Sequence, residues 1–111
     1  MQTDDRIREG RACDAQTVVD QIGFYTVYVA AGGRCLAQIH DGRGETIGVL
    51  VPLSSTRFVE VTLDFTDTYV VRRYRVIMRG ARRGQFVTEF DASNVYCDQL
   101  SQTFSKASCW E

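Results

Sequence analysis

The sequence predicts an α+β fold in which an antiparallel β-meander of about six strands carries a C-terminal helix on one face and a short N-terminal helix. Three observations support this prediction. Apolar and polar residues alternate along several short segments, glycine-rich turns separate those segments, and the apolar spacing becomes helical near both ends of the chain. With 111 residues, 44% of them apolar, residues 1–111 are expected to form a single domain with its own core.

The N-terminal quarter is expected to hold a short helix followed by a strand. Apolar residues at helical spacing predict the helix over Ala12–Ile22, and Gly23 is a suitable residue to end it. The segment 24–31, FYTVYVAA, is dense in aromatic and β-branched residues and therefore predicts a strand. A Gly-Gly pair then predicts a turn into a return strand at 35–40.

Two further strands are predicted in the middle of the chain. The turn sequence DGRG at 41–44 leads into a strand over Glu45–Leu53, whose end is marked by Pro52, the chain's only proline. The segment 57–65 alternates regularly, which directs its apolar residues inward and Glu60 outward.

The stretch Thr68–Asp91 predicts a β-hairpin with its turn at 80–84, and it carries six of the 13 basic residues. A register that pairs Arg79 with Gln85 sets apolar residues against apolar ones along the hairpin. The same register places Arg75 opposite Glu89 and Arg73 opposite Asp91. Arg73 and Arg75 are therefore expected to be neutralised by neighbouring carboxylates.

The remaining residues of the hairpin are the candidates for partner binding: Arg72, Arg79, Arg82, Arg83 and Tyr69. Two interpretations of the hairpin tip stay open. It is either a solvated, charged turn that keeps one end of the sheet soluble, or a basic finger that binds phosphate or an acidic protein surface.

The C-terminal stretch changes to a helical period. Ser93 is a suitable N-cap for a helix that runs to about Ser108 and buries its apolar stripe on the free face of the sheet. That stripe comprises Tyr96, Cys97, Leu100, Phe104 and Ala107. Trp110 is expected to anchor the tail against the core.

Charge is unevenly distributed along the chain. Residues 68–88 carry a formal charge of +6, whereas the overall net charge is −1, so the rest of the chain carries −7 (−1 minus +6). This distribution argues against a uniformly basic nucleic-acid coat but not against a local basic patch. No apolar run reaches membrane-spanning length and the charged N-terminus does not resemble a signal peptide, so a cytoplasmic protein without membrane contact is expected.

No recognisable motif for catalysis, a cofactor or a metal occurs in the sequence. The four cysteines, Cys13, Cys35, Cys97 and Cys109, lack the close pairs typical of zinc sites. They are expected to be small buried residues, with one disulfide or a metal as alternatives. The only histidine, His40, precedes a turn and is expected at a hairpin end, not in an acid–base centre. We therefore expect no enzyme activity and no cofactor.

Two functions fit this description. The first is a small protein-binding module that docks on a larger complex. Many phage- and plasmid-encoded accessory factors have this size, including inhibitors of host defence complexes such as CRISPR effectors. The second is nucleic-acid binding through the Arg-rich hairpin at 79–84, with Tyr69 as a stacking face. A homodimer formed through an exposed edge strand is compatible with both functions.

Overall fold

The computed structural model describes residues 10–109 as a five-stranded antiparallel sheet with three helices, which confirms the predicted α+β meander with one strand fewer. The strands lie in the order β1-β2-β3-β4-β5, and the helices cover one face. In chain order the elements are α1 (Ala15–Ile22), α2 (Phe24–Ala31), β1 (Ala37–His40), β2 (Thr46–Pro52), β3 (Arg57–Leu63), β4 (Tyr69–Val76), β5 (Phe86–Val95) and α3 (Leu100–Ser108). Residues 1–9 and 110–111, and with them the predicted anchor Trp110, lie outside the described residues.

The prediction of a strand at 24–31 is wrong, because this segment forms helix α2. Val27 and Ala31, four residues apart, pack into the core, and burial of that stripe outweighs the weak strand preference of aromatic and β-branched residues. Gly32 ends the helix in the left-handed region, at φ 59°, and its N–H donates to the carbonyls of Tyr28 and Val29. The glycine pair is thus a helix terminus and not a hairpin turn.

The predictions for α1 and for strands β2 and β3 are confirmed within a few residues. The Asp14 side chain caps α1 by accepting the N–H of Gln16, and Gly23 follows the last residue of the helix. Pro52 is the last residue of β2, as expected. Phe65, which was expected to point inward, instead lies in the turn after β3 and is 64% exposed.

The predicted register of the basic hairpin is wrong, although the hairpin itself is present. β4 ends at Val76, which pairs with Phe86 and not with Thr88, so the connecting loop is longer than predicted. Pairing of Tyr74 with Thr88 and of Arg73 with Phe90 leaves Glu89 as an extra residue on β5. Such a bulge redirects the side chain it carries, and its position could not be read from residue alternation.

Helix α3 begins later than predicted. β5 continues to pair with β4 as far as Val95, which lies opposite Tyr69, so Ser93 is a strand residue and not a helix cap. Leu100, Phe104 and Ala107 form the buried stripe of the helix, as expected. Tyr96 and Cys97, which were predicted to belong to the stripe, precede the helix and are exposed.

Apolar side chains occupy both faces of the sheet. On the helical face the core joins residues of all three helices to a set of strand valines: Val49, Val51, Val59, Val61 and Val71. On the opposite face a smaller cluster includes Phe58 and Tyr74, whose ring centroids lie 5.8 Å apart. Strands β2 and β3 approach closely at Gly48, where an added Cβ would lie 2.0 Å from the Val61 carbonyl oxygen.

A candidate interaction surface at the basic end of the sheet

Three arginines of the sheet converge on Glu89. The Glu89 carboxylate lies 3.0 Å from Arg57 Nε, 3.3 Å from Arg73 Nε and 3.5 Å from Arg75 Nε. Arg57 and Arg75 are direct cross-strand partners, so their like charges would repel each other without an acid between them. The bulge in β5 supplies that acid, because it carries Glu89.

The environment of Glu89 stabilises its ionised form. Partial burial acts to raise the pKa of this carboxyl, but the hydrogen bond from Arg57 and the charges of Arg57, Arg73 and Arg75 outweigh burial and lower the pKa overall. Arg73 additionally donates to the carbonyl oxygens of Ala107, at 3.0 Å, and Cys109, at 3.4 Å. It thereby ties the end of α3 to the sheet, where the helix dipole favours a cation.

The expectation that Arg73 and Arg75 pair with carboxylates is confirmed, but both share Glu89 with Arg57, and Arg73 does not use Asp91. Asp91 instead faces Arg72, whose Nε lies 3.6 Å from it. A second carboxylate, from the largely buried Glu60, lies 3.8 Å from Nη1 of Arg72. Glu60 was expected to point outward to solvent. Arg72, predicted as a partner-binding residue, is therefore part of an ion-pair network within the sheet.

Tyr69, the predicted stacking residue, is buried. Only 5% of its surface is exposed, and its hydroxyl donates a hydrogen bond to Oε1 of Gln21 on α1. Burial raises the pKa of this hydroxyl, with smaller contributions from the charges of neighbouring acidic groups. The structure thus places Tyr69 in the helix–sheet core, away from the hairpin tip.

The remaining three predicted residues, Arg79, Arg82 and Arg83, are exposed in the loop between β4 and β5; we call them the tip arginines. The loop is closed at its base, where Gly84 N–H donates to the Ile77 carbonyl at 2.7 Å. None of the tip arginines forms an ion pair with any residue in the 10–109 range that the structure describes. Met78, at the start of the loop, is 51% exposed.

The antiparallel order places the tip at one end of a sheet whose charge is polarised. That end also holds Arg57 and Arg75, which pair where β3 begins and β4 ends. Arg34 lies there too, because its Nη1 donates to the carbonyl of Leu53 just after β2. The opposite end carries the carboxylates of Asp41, Glu45, Asp64, Asp67 and Asp98. Two arginines at the acidic end are paired there: Arg11 lies 2.8 Å from Asp67 and Arg43 lies 3.6 Å from Asp41.

Helix α2 carries an exposed apolar surface that the sequence did not predict. We define the α2 patch as Phe24, Tyr25, Tyr28 and Val29, which are 66%, 78%, 61% and 58% exposed. The rings of Phe24 and Tyr28 are stacked, with centroids 6.2 Å apart. Assigning these residues to a strand concealed the patch, because a strand would place Phe24 and Tyr25 on opposite faces. The absence of any charged residue between Gly23 and Gly32 was the available signal.

The cysteines do not match the prediction of small buried residues. Cys35, Cys97 and Cys109 are exposed, Cys13 is half-buried, and all four are free thiols. Burial, aided by the charge of Asp14, raises the pKa of Cys13. Among residues 10–109, no group of three His, Cys, Asp or Glu side chains is arranged to hold a metal ion.

His40 is exposed at the end of β1, with Thr46 Oγ1 3.5 Å from its Nδ1.

Within the described part of the chain, every helix is too short or too polar to cross a membrane. No protein-family model matches this sequence, and no curated protein or solved structure matches it at a significant level.

Proposed function

We propose that this protein is a small non-enzymatic protein-binding module that docks through its hairpin tip on an acidic surface of a larger complex. The observation that carries the proposal is the exposure of Met78 beside three arginines that have no acid partner among residues 10–109. Arginine and methionine are both enriched at protein–protein interfaces, where arginine forms bidentate contacts with carboxylates and methionine adapts to irregular apolar surfaces.

The surroundings of the tip favour an acidic partner. At its base, Arg57, Arg73 and Arg75 all lie within 3.5 Å of the Glu89 carboxylate, so three positive charges gather close to the tip. These fixed charges add to the positive potential of the tip arginines and would speed the encounter with an acidic surface. The acidic opposite end of the sheet would orient the protein, because it repels the same partner. Accessory or inhibitory factors of mobile elements that dock on host complexes would need such rapid, oriented binding to one surface.

Nucleic-acid binding at the tip is the second candidate, and the same three exposed arginines support it. Each phosphate contact contributes roughly one unit to the slope of log K against log salt, so this candidate predicts a slope of about −2 to −3. The burial of Tyr69 counts against it, because single-strand binding commonly uses a stacking aromatic beside the basic groups. The five carboxylates at the far end would also repel a long polyanion.

The experiment compares the wild-type chain with two double variants as bait in lysate of the native host, treated with nuclease. Arg82→Gln/Arg83→Gln removes two charges at the tip, and the control Arg11→Gln/Arg43→Gln removes two at the acidic end. We expect one protein, captured in stoichiometric amount, to bind the wild type and the control, and to bind the tip variant roughly tenfold more weakly or worse. Loss of the partner upon nuclease treatment, or equal capture by the tip variant, would contradict the proposal.

A further inference from the structure

Helix α2 is aliphatic or aromatic at every position except Thr26, which is unusual for a helix at a protein surface. Its eight residues, FYTVYVAA, include no charged side chain. Val27 and Ala31 fill the core on the inner side, whereas the α2 patch faces outward. Helices that are apolar on all sides are normally buried on all sides, so the outer face of α2 is expected to be covered in the working protein.

We propose that a second copy of this chain covers the α2 patch, with the two α2 helices packed antiparallel about a two-fold axis. The size of the patch is compatible with this arrangement. With aromatic residues of roughly 150–250 Å² each, the exposed fractions of Phe24, Tyr25, Tyr28 and Val29 amount to roughly 500 Å² per copy. Two copies would bury about 1,000 Å² before flanking residues are included, which is near the minimum for a specific interface.

The charged residues that flank α2 along the chain have opposite signs at its two ends, as an antiparallel two-fold interface requires. Asp20, on α1, comes four residues before the start of α2 and accepts a hydrogen bond from Gln16. Arg34 follows the C-terminal end, where it borders an apolar hollow of about 100 Å³ that Phe24 and Tyr28 also line. In the antiparallel pair, Asp20 of each copy approaches Arg34 of the other, and no like charges meet along the helices themselves.

The edge strand β5 is less suited than the α2 patch to joining two copies. On β5, the bulge at Glu89 and the charges of Glu89 and Asp91 interrupt a regular edge. Bulges and charges of this kind oppose strand-to-strand pairing. The sequence left open a homodimer through an edge strand, and the proposal here is the different arrangement through α2. This dimer is independent of the tip proposal, and it would present two hairpin tips to a partner.

The test measures the mass of the purified protein by sedimentation velocity over about 1–500 µM, a range that brackets a dimer of this interface area. We expect a concentration-dependent dimer. Tyr25→Ser/Tyr28→Ser should weaken it by roughly 100-fold or more, since each lost aromatic counts twice in a two-fold interface. The matched control is Tyr96→Ser, because Tyr96 is 60% exposed but follows β5. Circular dichroism would show that each variant is folded.

A charge exchange tests the antiparallel geometry. Asp20→Arg alone and Arg34→Asp alone should each weaken the dimer, because like charges then face each other twice. Mixing the two single variants should restore a heterodimer, because both facing pairs are again of opposite sign. A chain that stays monomeric over the whole range would overturn the proposal. A dimer unaffected by Tyr25→Ser/Tyr28→Ser would overturn it as well.

Discussion

The substitution Glu89→Gln tests whether the arginines at the base of the hairpin are held by the fold. It keeps the shape of the side chain but removes the one carboxylate that Arg57, Arg73 and Arg75 share. Three guanidinium groups would then lie close together without the carboxylate that they share, and Arg57 and Arg75 would repel each other across the strands. We therefore expect Glu89→Gln to destabilise the folded state.

The magnitude follows from the burial of this cluster. The Glu89 side chain is 21% exposed and that of Arg73 is 13% exposed, while that of Arg75 is 40% exposed. Exposed ion pairs contribute about 0–1 kcal/mol, and removing one partner of a buried pair costs about 3–5 kcal/mol. Because the exposure of this cluster is intermediate, we expect an intermediate loss of about 2 kcal/mol in the free energy of unfolding. For a domain of this size, that loss corresponds to a melting temperature lower by about 8 °C.

The assay is urea denaturation followed by circular dichroism, with Glu45→Gln as the control. Glu45 is an exposed glutamate at the acidic end of the sheet, so the same chemical change there should alter stability by about 0.5 kcal/mol or less. If Glu89→Gln also changed stability by no more than the control, the three arginines would not depend on Glu89. The division between structural arginines and tip arginines would then be wrong.

Two further outcomes are expected. The pKa of Glu89 is lowered in the folded state, so its stabilising effect is present above the unfolded value of about 4.3 and is lost as pH falls through the folded value. Between pH 6 and about pH 3, the free energy of unfolding should therefore decline less steeply for Glu89→Gln than for the wild type. Gly48→Ala should cost about 3 kcal/mol of unfolding free energy in the same assay, because its Cβ would lie 2.0 Å from the Val61 carbonyl oxygen. The control Gly33→Ala should cost only about 1–2 kcal/mol, because Gly33 has φ 83° but no atom lies within 4 Å of the added Cβ. Equal losses of stability at the two glycines would refute the close approach of β2 and β3.

Much of the fold follows from local patterns in the sequence. The alternation in 57–65 and the turn at 41–44 are short-range signals, and both predict the elements that form. The stripe of Leu100, Phe104 and Ala107 likewise predicts which face of α3 is buried. Helix α2 could not be predicted in this way, because its residues prefer strands and only the packing of Val27 and Ala31 against the core selects the helix.

The candidate surface was predictable only in part. The exposure of Arg82 and Arg83 follows from their place between Gly80 and Gly84, and Arg79 directly precedes that segment. The ion pairs of Arg72 and the shared role of Glu89 depend on a bulge, which shifts the pairing of β4 with β5 and is not visible in residue alternation. The burial of Tyr69 depends on where α1 lies, which is a tertiary property.

Site-specific photo-crosslinking tests the central claim most directly. A photoreactive amino acid would replace Met78, which lies at the start of the tip loop, and in a control chain it would replace Phe65, which is 64% exposed in the turn at the acidic end. Irradiation in the native host should join the Met78 position to one protein, at a segment rich in Asp and Glu, and the Phe65 position should give no such product. Crosslinks from Met78 to nucleic acid, or the same protein product from both positions, would contradict docking of the hairpin tip on an acidic protein surface.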